Sequence, residues 1–483
     1  MSKLLINFLK IIAVYFLIIN SVFADNLQDN ENITIQNGLD KIIANFGQDI
    51  NIGIVVQSMD DGKILYHRNA STVFMPASTL KVFTAVAALS YLTPQYRFTT
   101  QLLSTPSALL HPGTVNGDLY IKFTGHPTLT TNDLNNLIAQ LTQAGIHTIN
   151  GNLVIDDTAL DHTNWASGWM WDEQSICYAA PATAIVVNHN CFGMNLIANK
   201  QINAPGIIQI LPNDHNIVIQ NHTITRSAHF YECPLKLQAI GNNTYDLTGC
   251  YAPNKPPLFL DAALNDPLLA VTNNLKQMLK QNKIQLNGTI ISGKSPADFK
   301  LIAEHDSPPL ANLITTMLKK SDNLIADVIF KTLGGLYYHT QGTWENGAAA
   351  VKAILKPQTG IDFHKMHLVD GAGLSRYDLV SPLQFAQLLG YAYRDLPDNT
   401  ILFQALPISG TDGTLRYRLG GPLQGKIHAK TGTMESASGL VGYIHTNNNK
   451  TLSFTILING FVGKQTAYHH LQDHICQYLA QQG

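Results

Sequence analysis

Charge is what this sequence has least of. Of 483 residues only 13% are Asp, Glu, Lys or Arg, about half the roughly 25% usual in soluble proteins. The 31 basic and 33 acidic residues leave a net charge of −2. No Lys/Arg cluster occurs, which argues against nucleic acid as a partner, because tracking phosphates needs concentrated positive charge. No heptad or Gly-X-Y period runs along the chain, so coiled-coil and collagen-like classes fall away. Neither Cys-x-x-Cys nor His-Glu-x-x-His is present, and His364-x-x-His367 is better explained as scattered surface histidine, so no metal is expected. Beyond the first two dozen residues no apolar run approaches the length of about 18 residues that marks a membrane-spanning helix.

Lys3 and Lys10 precede an uncharged apolar run from Ile11 to Ile19, then Ser21-Val22-Phe23-Ala24. That order reads as a secretory leader, residues 1–24, cut after Ala24; the run is too short to span a bilayer, which takes about 20 residues. A periplasmic protein is expected. Its five cysteines fit an oxidising compartment: Cys177, Cys191, Cys233 and Cys250 lie in one region, and Cys476 stands alone. Two disulfides are expected, with nearest-neighbour pairing one of three connectivities and free buried thiols the alternative.

The length predicts two or three domains. Ile52–Gln57, the turn Asp60-Asp61-Gly62 and Lys63–His67 read as a hairpin. Ser78–Tyr91 reads as a helix apolar on most sides, which belongs inside a domain. From residue 94 to 287 short β-like runs such as Leu119–Phe123, Leu153–Asp156 and Ile207–Ile210 alternate with Gly, Asn and Pro, and this region reads as a β-rich insertion. Helical periodicity resumes at Leu310 and again at Leu324, with Ser-Asp-Asn between. Lys426–Lys430, Leu440–Ile444 and Leu452–Ile458 read as adjacent strands, followed by a closing helix from Thr466. The expected fold is therefore α/β (α+β): an antiparallel sheet flanked by helices, formed by residues 25–93 and 288–483, with residues 94–287 inserted.

Three short motifs each occur once. Ser78-Thr79-Leu80-Lys81 sets a hydroxyl and an amine one helical turn apart. A serine becomes a nucleophile when a base takes its proton, and a lysine can be that base if burial lowers its proton affinity. Ser321-Asp322-Asn323 adds a second hydroxyl and an amide that can hold a peptide; Lys430-Thr431-Gly432 adds a cationic, hydroxyl-bearing strand suited to a terminal carboxylate. Singly these are a helix cap, a solvated charge and a turn. Together they describe acyl transfer from a peptide with a free carboxylate.

This trio resembles that of penicillin-binding proteins and β-lactamases. Asp370-Gly371-Ala372-Gly373-Leu374-Ser375-Arg376, Gly410-Thr411-Asp412-Gly413-Thr414-Leu415 and Gly168-Trp169-Met170-Trp171-Asp172 resemble segments of the class C low-molecular-mass (type-4) D-alanyl-D-alanine carboxypeptidases. Ala372 departs from the serine common there. The resemblance implies a β-lactamase/transpeptidase-like fold and a cofactor-free carboxypeptidase and endopeptidase acting on peptidoglycan stem peptides and cross-links. It implies β-lactams as ligands. It makes Ser78 the acylated serine, Lys81 its base, Ser321 and Asn323 the second motif, and Lys430 with Thr431 the carboxylate grip. Gly432 permits close approach, and backbone N–H groups of Ser78 and Thr433 form the oxyanion hole. Asp172, with Asp156 and Glu173 as competitors, would meet the amino group of a diaminopimelate side chain, near Arg376. The Trp169 and Trp171 pair is either packing or a ligand platform. A β-lactamase on the same architecture and a non-catalytic muropeptide-binding scaffold remain the alternatives, and loose membrane association and oligomeric state stay open.

Overall fold

The computed structural model describes residues 33–47, 50–109, 112–211, 217–226 and 232–482. The secretory leader expected at residues 1–24 lies outside them. Among the described residues no helix is long and apolar enough to cross a membrane.

The chain forms two compact units. The first comprises the described residues up to Thr79, Thr359–Met366 and the described residues from Leu379 on. Its centre is a five-stranded antiparallel sheet in the order Ile427–Met434, Ala437–His445, Thr451–Asn459, Asn51–Ser58, Ile64–Arg68. Successive side chains of each strand point to opposite faces of the sheet. Ile52, Ile54 and Val56 pack in one core with Ile35, Leu39 and Ile43 of a helix at residues 33–46, and with Leu471, Ile475 and Leu479 of the helix Thr466–Gln482. On the other face a side chain at Gly53 would collide with Phe74 and with Pro382, the first residue of the helix Pro382–Arg394. Covered on both faces, Ala437–His445 and Thr451–Asn459 are buried almost throughout, which is why they read as continuous apolar runs rather than alternating ones. Each aliphatic side chain so buried contributes about 1.5–3 kcal/mol.

The second unit comprises Leu80–Gln358 and His367–Asp378. Its helical part packs Lys81–Tyr91 against Leu310–Lys320 and Asn323–Tyr338. The remainder carries a mixed five-stranded sheet in the order Ile290–Ser292, Leu153–Asp156, Leu119–Phe123, Thr99–Ser104, Lys300–Asp306. Hydrogen bonding in this sheet runs past residue 287, since Ile290–Ser292 pairs with Leu153 to Ile155 and Lys300–Asp306 with Thr99–Ser104. Two of the three three-stranded sheets among the described residues join Leu258–Ala263, Cys191–Ile197 and Ile207–Leu211, and Val218–Thr225, Thr244–Tyr251 and Lys236–Gly241. The region from 94 to 287 is not made of strands alone. It also contains the helices Thr131–Gln143 and Pro267–Gln281. Thr130 starts the first with a capping box closed by Asp133, and Leu134, Leu137, Ile138 and Leu141 form its buried stripe. Disulfides join Cys177 to Cys191 and Cys233 to Cys250. Cys476 is a buried free thiol on Thr466–Gln482, pushed up by burial.

Candidate active site

Ser78 lies in a 3-10 turn, Ala77–Leu80, that leads straight into the α-helix Lys81–Tyr91. The helix expected from Ser78 to Tyr91 thus begins with a tighter turn, whose three-residue period sets positions i and i+3 one above the other. Ala77, just before the serine, takes a left-handed backbone with φ 48°. A non-glycine residue there costs energy, and such strain concentrates at functional sites.

Within the first unit the strand Ile427–Met434 runs past this turn. A side chain at Gly432 would come within 2.7 Å of the Pro76 carbonyl oxygen and 3.1 Å of the Thr79 amide nitrogen. Only glycine permits that approach. The Lys430 side chain is fully buried, and its Nζ donates to the Thr431 carbonyl at 2.8 Å. Thr431 Oγ1 lies 2.7 Å from Thr414 Oγ1, so the Gly410–Leu415 segment braces the strand's hydroxyl. The strand is at the sheet's edge. The backbone pairing on its open side, Ile408 with His428 and the Ala429 amide to Pro407, lies before Lys430. Thr433 follows on the same strand, paired with Ser438 on the inner side.

Within the second unit Lys81 has no exposed surface. Its Nζ donates to Asn323 Oδ1 and to the Ala372 carbonyl, each at 2.7 Å. Because residue 372 contributes a backbone oxygen, alanine serves there as well as serine. Burial lowers Lys81 to about 8, against the pull of Asp327, Asp370, Asp322 and Asp378, which favour its charged form. Asp370 fixes the turn carrying Ala372: it accepts from the Ala372, Gly373 and Ser375 amides and from Trp169 Nε1. Asp327 accepts from the Gly371 amide at 2.9 Å, and burial pushes it and Asp378 well above the usual carboxylate range.

The Ser-Asp-Asn break has a definite local cause. Ser321 ends the helix Leu310–Lys320 in a left-handed conformation, φ 59°, and Asp322 caps the next helix by accepting from the Ile325 amide at 2.9 Å. Asn323 is therefore the first residue of Asn323–Tyr338, with Oδ1 on Lys81 and Nδ2 donating to the Tyr178 carbonyl at 2.8 Å. Asp322 is also 2.9 Å from His189 Nε2. Burial opposes both charges, but their mutual attraction wins: His189 is raised and Asp322 lowered.

Asp172 and Arg376 come together around the Tyr178 phenol. Burial raises that phenol, Glu173 and Asp172 raise it further, and Arg376 acts in the opposite direction. The Arg376 amide donates to the Gly168 carbonyl at 3.1 Å, linking the two segments. Asp172 is exposed, whereas Asp156 is buried and taken up by Thr158 and Ser295. Tyr178, His189, Asp327 and Asp378 are site-lining groups that the motifs did not reveal. Among the described residues the only cluster with metal-ligand spacing is Cys177, Cys191 and Asp261, and both its sulfurs are in a disulfide.

The model of the D-Ala-D-Ala carboxypeptidase 3 (S13) family matches residues 35–482. The chain belongs to this family. It is 35% identical over 417 residues to D-alanyl-D-alanine carboxypeptidase DacB of Haemophilus influenzae, covering 85% of this chain and 86% of that one. It is 29% identical to a D-alanyl-D-alanine carboxypeptidase of an Actinomadura species, covering 89% and 81%. A crystal structure of penicillin-binding protein 4 from Haemophilus influenzae superposes with a TM-score of 0.85 at 32% identity, over 92% of this chain and 99% of that one. The family member described here is accordingly a serine-type D-alanyl-D-alanine carboxypeptidase, on the mixed α/β fold of that structure.

Proposed function

We propose that Ser78 attacks the carbonyl between the last two D-alanines of a peptidoglycan stem. Neutral Lys81 takes the hydroxyl proton as the new C–O bond forms. The C–N bond then breaks, terminal D-alanine leaves as the amine, and water hydrolyses the Ser78 ester to restore the enzyme. The single observation carrying this reading is Lys81. A fully buried amine held by the Asn323 and Ala372 oxygens and lowered to about 8 is neutral often enough to act as a base. Ser321 would pass the proton on to the leaving amine, and Asn323 would hold the substrate amide. Lys430, Thr431 and Gly432 would receive the terminal carboxylate, and the Ser78 and Thr433 amides the oxyanion. Beyond Ala429 no strand among the described residues pairs with the outer side of Ile427–Met434, which leaves room there for an extended peptide.

The same attack on a D-alanyl bond to diaminopimelate would make the protein an endopeptidase, with Asp172 and Arg376 receiving the diaminopimelate end. β-Lactams would acylate Ser78; penicillin-binding protein 4 of Haemophilus influenzae, 30% identical, has been crystallised in complex with one. The site of action would be the periplasm, reached through residues 1–24, with residues 94–287 inserted between the first and second catalytic motifs. Ser78→Ala should abolish labelling by a fluorescent penicillin while leaving the fold intact. Retained labelling refutes the nucleophile assignment. Purified sacculi should release D-alanine and lose cross-links, whereas rapid turnover of a chromogenic cephalosporin would mark a β-lactamase instead.

A further inference from the structure

The segment from Asn164 to Ala180 has a second side. Tyr178 gives its carbonyl to Asn323, while Trp171 and Gln174, a few residues earlier, line a cavity of about 640 Å³ in the second unit, within the range of roughly 300–1,000 Å³ typical of small-molecule sites. Trp171 is 69% exposed, an unusual position for the largest side chain in a protein with only 4 tryptophans. Five carboxamides, Asn164, Gln174, Gln238, Asn242 and Asn265, share its walls with hydroxyl, acidic and apolar side chains. Asn265 Oδ1 is buried and accepts nothing among the described residues. A second indole, Trp165, is fixed at the cavity by its Nε1 bond to the Ala179 carbonyl at 3.0 Å.

The composition of these walls selects a ligand class. Among the described residues no lysine or arginine lines the cavity, so they give it no grip for a carboxylate or phosphate. Two carboxylates line it: Asp157, buried and 3.7 Å from His162, and Asp266, whose Oδ1 accepts from the Leu269 amide. Carboxamides both donate and accept, which matches a ring of neutral hydroxyls and an acetamido group. A flat indole offers the apolar surface against which the C–H face of a pyranose packs. We propose that this cavity is a saccharide site for an N-acetylhexosamine unit of the glycan strand that bears the stem peptides. The choice of glycan rests on the peptidoglycan reading above. The segment that holds the sugar also touches Asn323, so occupancy would tether a glycan-linked stem close to the second catalytic motif.

The test separates this site from the hydrolase reading. The mature protein is titrated with the peptide-free disaccharide N-acetylglucosaminyl-N-acetylmuramic acid, followed by tryptophan fluorescence and by protein NMR. Saturable binding is expected, unchanged in Ser78→Ala, weakened about tenfold, or 1.4 kcal/mol, in Trp171→Ala and Gln238→Ala, and largely kept in Trp171→Phe. In parallel, kcat/KM is measured on a glycan-free peptide ending in D-Ala-D-Ala and on the disaccharide-linked pentapeptide. Trp171→Ala should lose about tenfold on the second only. Binding of the sugar without hydrolysis of either peptide supports the site and removes the hydrolase reading. No binding by the wild type, or equal losses on both peptides, overturns the proposal.

Discussion

A lysine stripped of water keeps its proton only as far as neighbouring acids compensate, and the balance at Lys81 comes to about 8. The sign of the consequence follows directly. If Lys81 is the proposed base it works when neutral, so β-lactam acylation of Ser78 should rise about tenfold per pH unit up to near 8 and level off above it. Stopped-flow acylation between pH 6 and 9.5 checks this; a flat profile would sink the assignment of Lys81 as base. Much of this was legible in the sequence, because Ser78, Lys81, Asn323 and Lys430 announce themselves by spacing. The partners of Lys81 were not all visible. The Ala372 oxygen is a backbone atom that any residue would supply, and Tyr178 contributes through its carbonyl too, so neither leaves a side-chain signature.

Elements carry two further predictions. Asp322 starts the helix Asn323–Tyr338 and pairs with His189, so Asp322→Asn should keep most of the cap but lose the ion pair. Asp322 is lowered and His189 raised. The pair's contribution is therefore lost as pH falls through the folded value of Asp322, below its usual 3.8, and as pH rises through that of His189, above its usual 6.5. The melting-temperature gap between wild type and Asp322→Asn should be widest near pH 5–6, by this linkage, and should narrow above neutrality. Gly432→Ala puts a methyl against the Pro76 carbonyl and the Thr79 amide. It should cost about 1–3 kcal/mol and slow penicillin labelling, since the displaced turn carries Ser78. Elements were readable where burial is two-sided, as in Ala437–His445 and Thr451–Asn459. Thr131–Gln143 escaped notice because its apolar stripe is set among Thr, Asn and Gln, residues of modest helix preference that also mark turns. At residues 33–46 Ile35, Leu39 and Ile43 are buried in the core with Ile42 half-buried against it, a thin signal for a helix that is otherwise largely exposed.

At the scale of the whole molecule the Cys177–Cys191 bond closes a loop with a sequence separation of 14 that contains Tyr178. By loop length such a link is worth about 3 kcal/mol. Cys177→Ser with Cys191→Ser should melt lower and label more slowly, as the support of Asn323 loosens; unchanged kinetics would show that Tyr178 holds its place unaided. The mixed sheet spanning Thr99 to Asp306 explains why composition could not find its ends. Turn residues mark where strands stop, whereas pairing across two hundred positions leaves no local trace. The longest such pairing sets Asn51–Ser58 beside Thr451–Asn459. A ribosome must therefore deliver nearly the whole polypeptide before the central strands of the serine-bearing unit can zip, and loop closure on that span is slow. An unfinished copy would emerge without Thr451–Asn459 beside Asn51–Ser58, and so without carboxypeptidase activity.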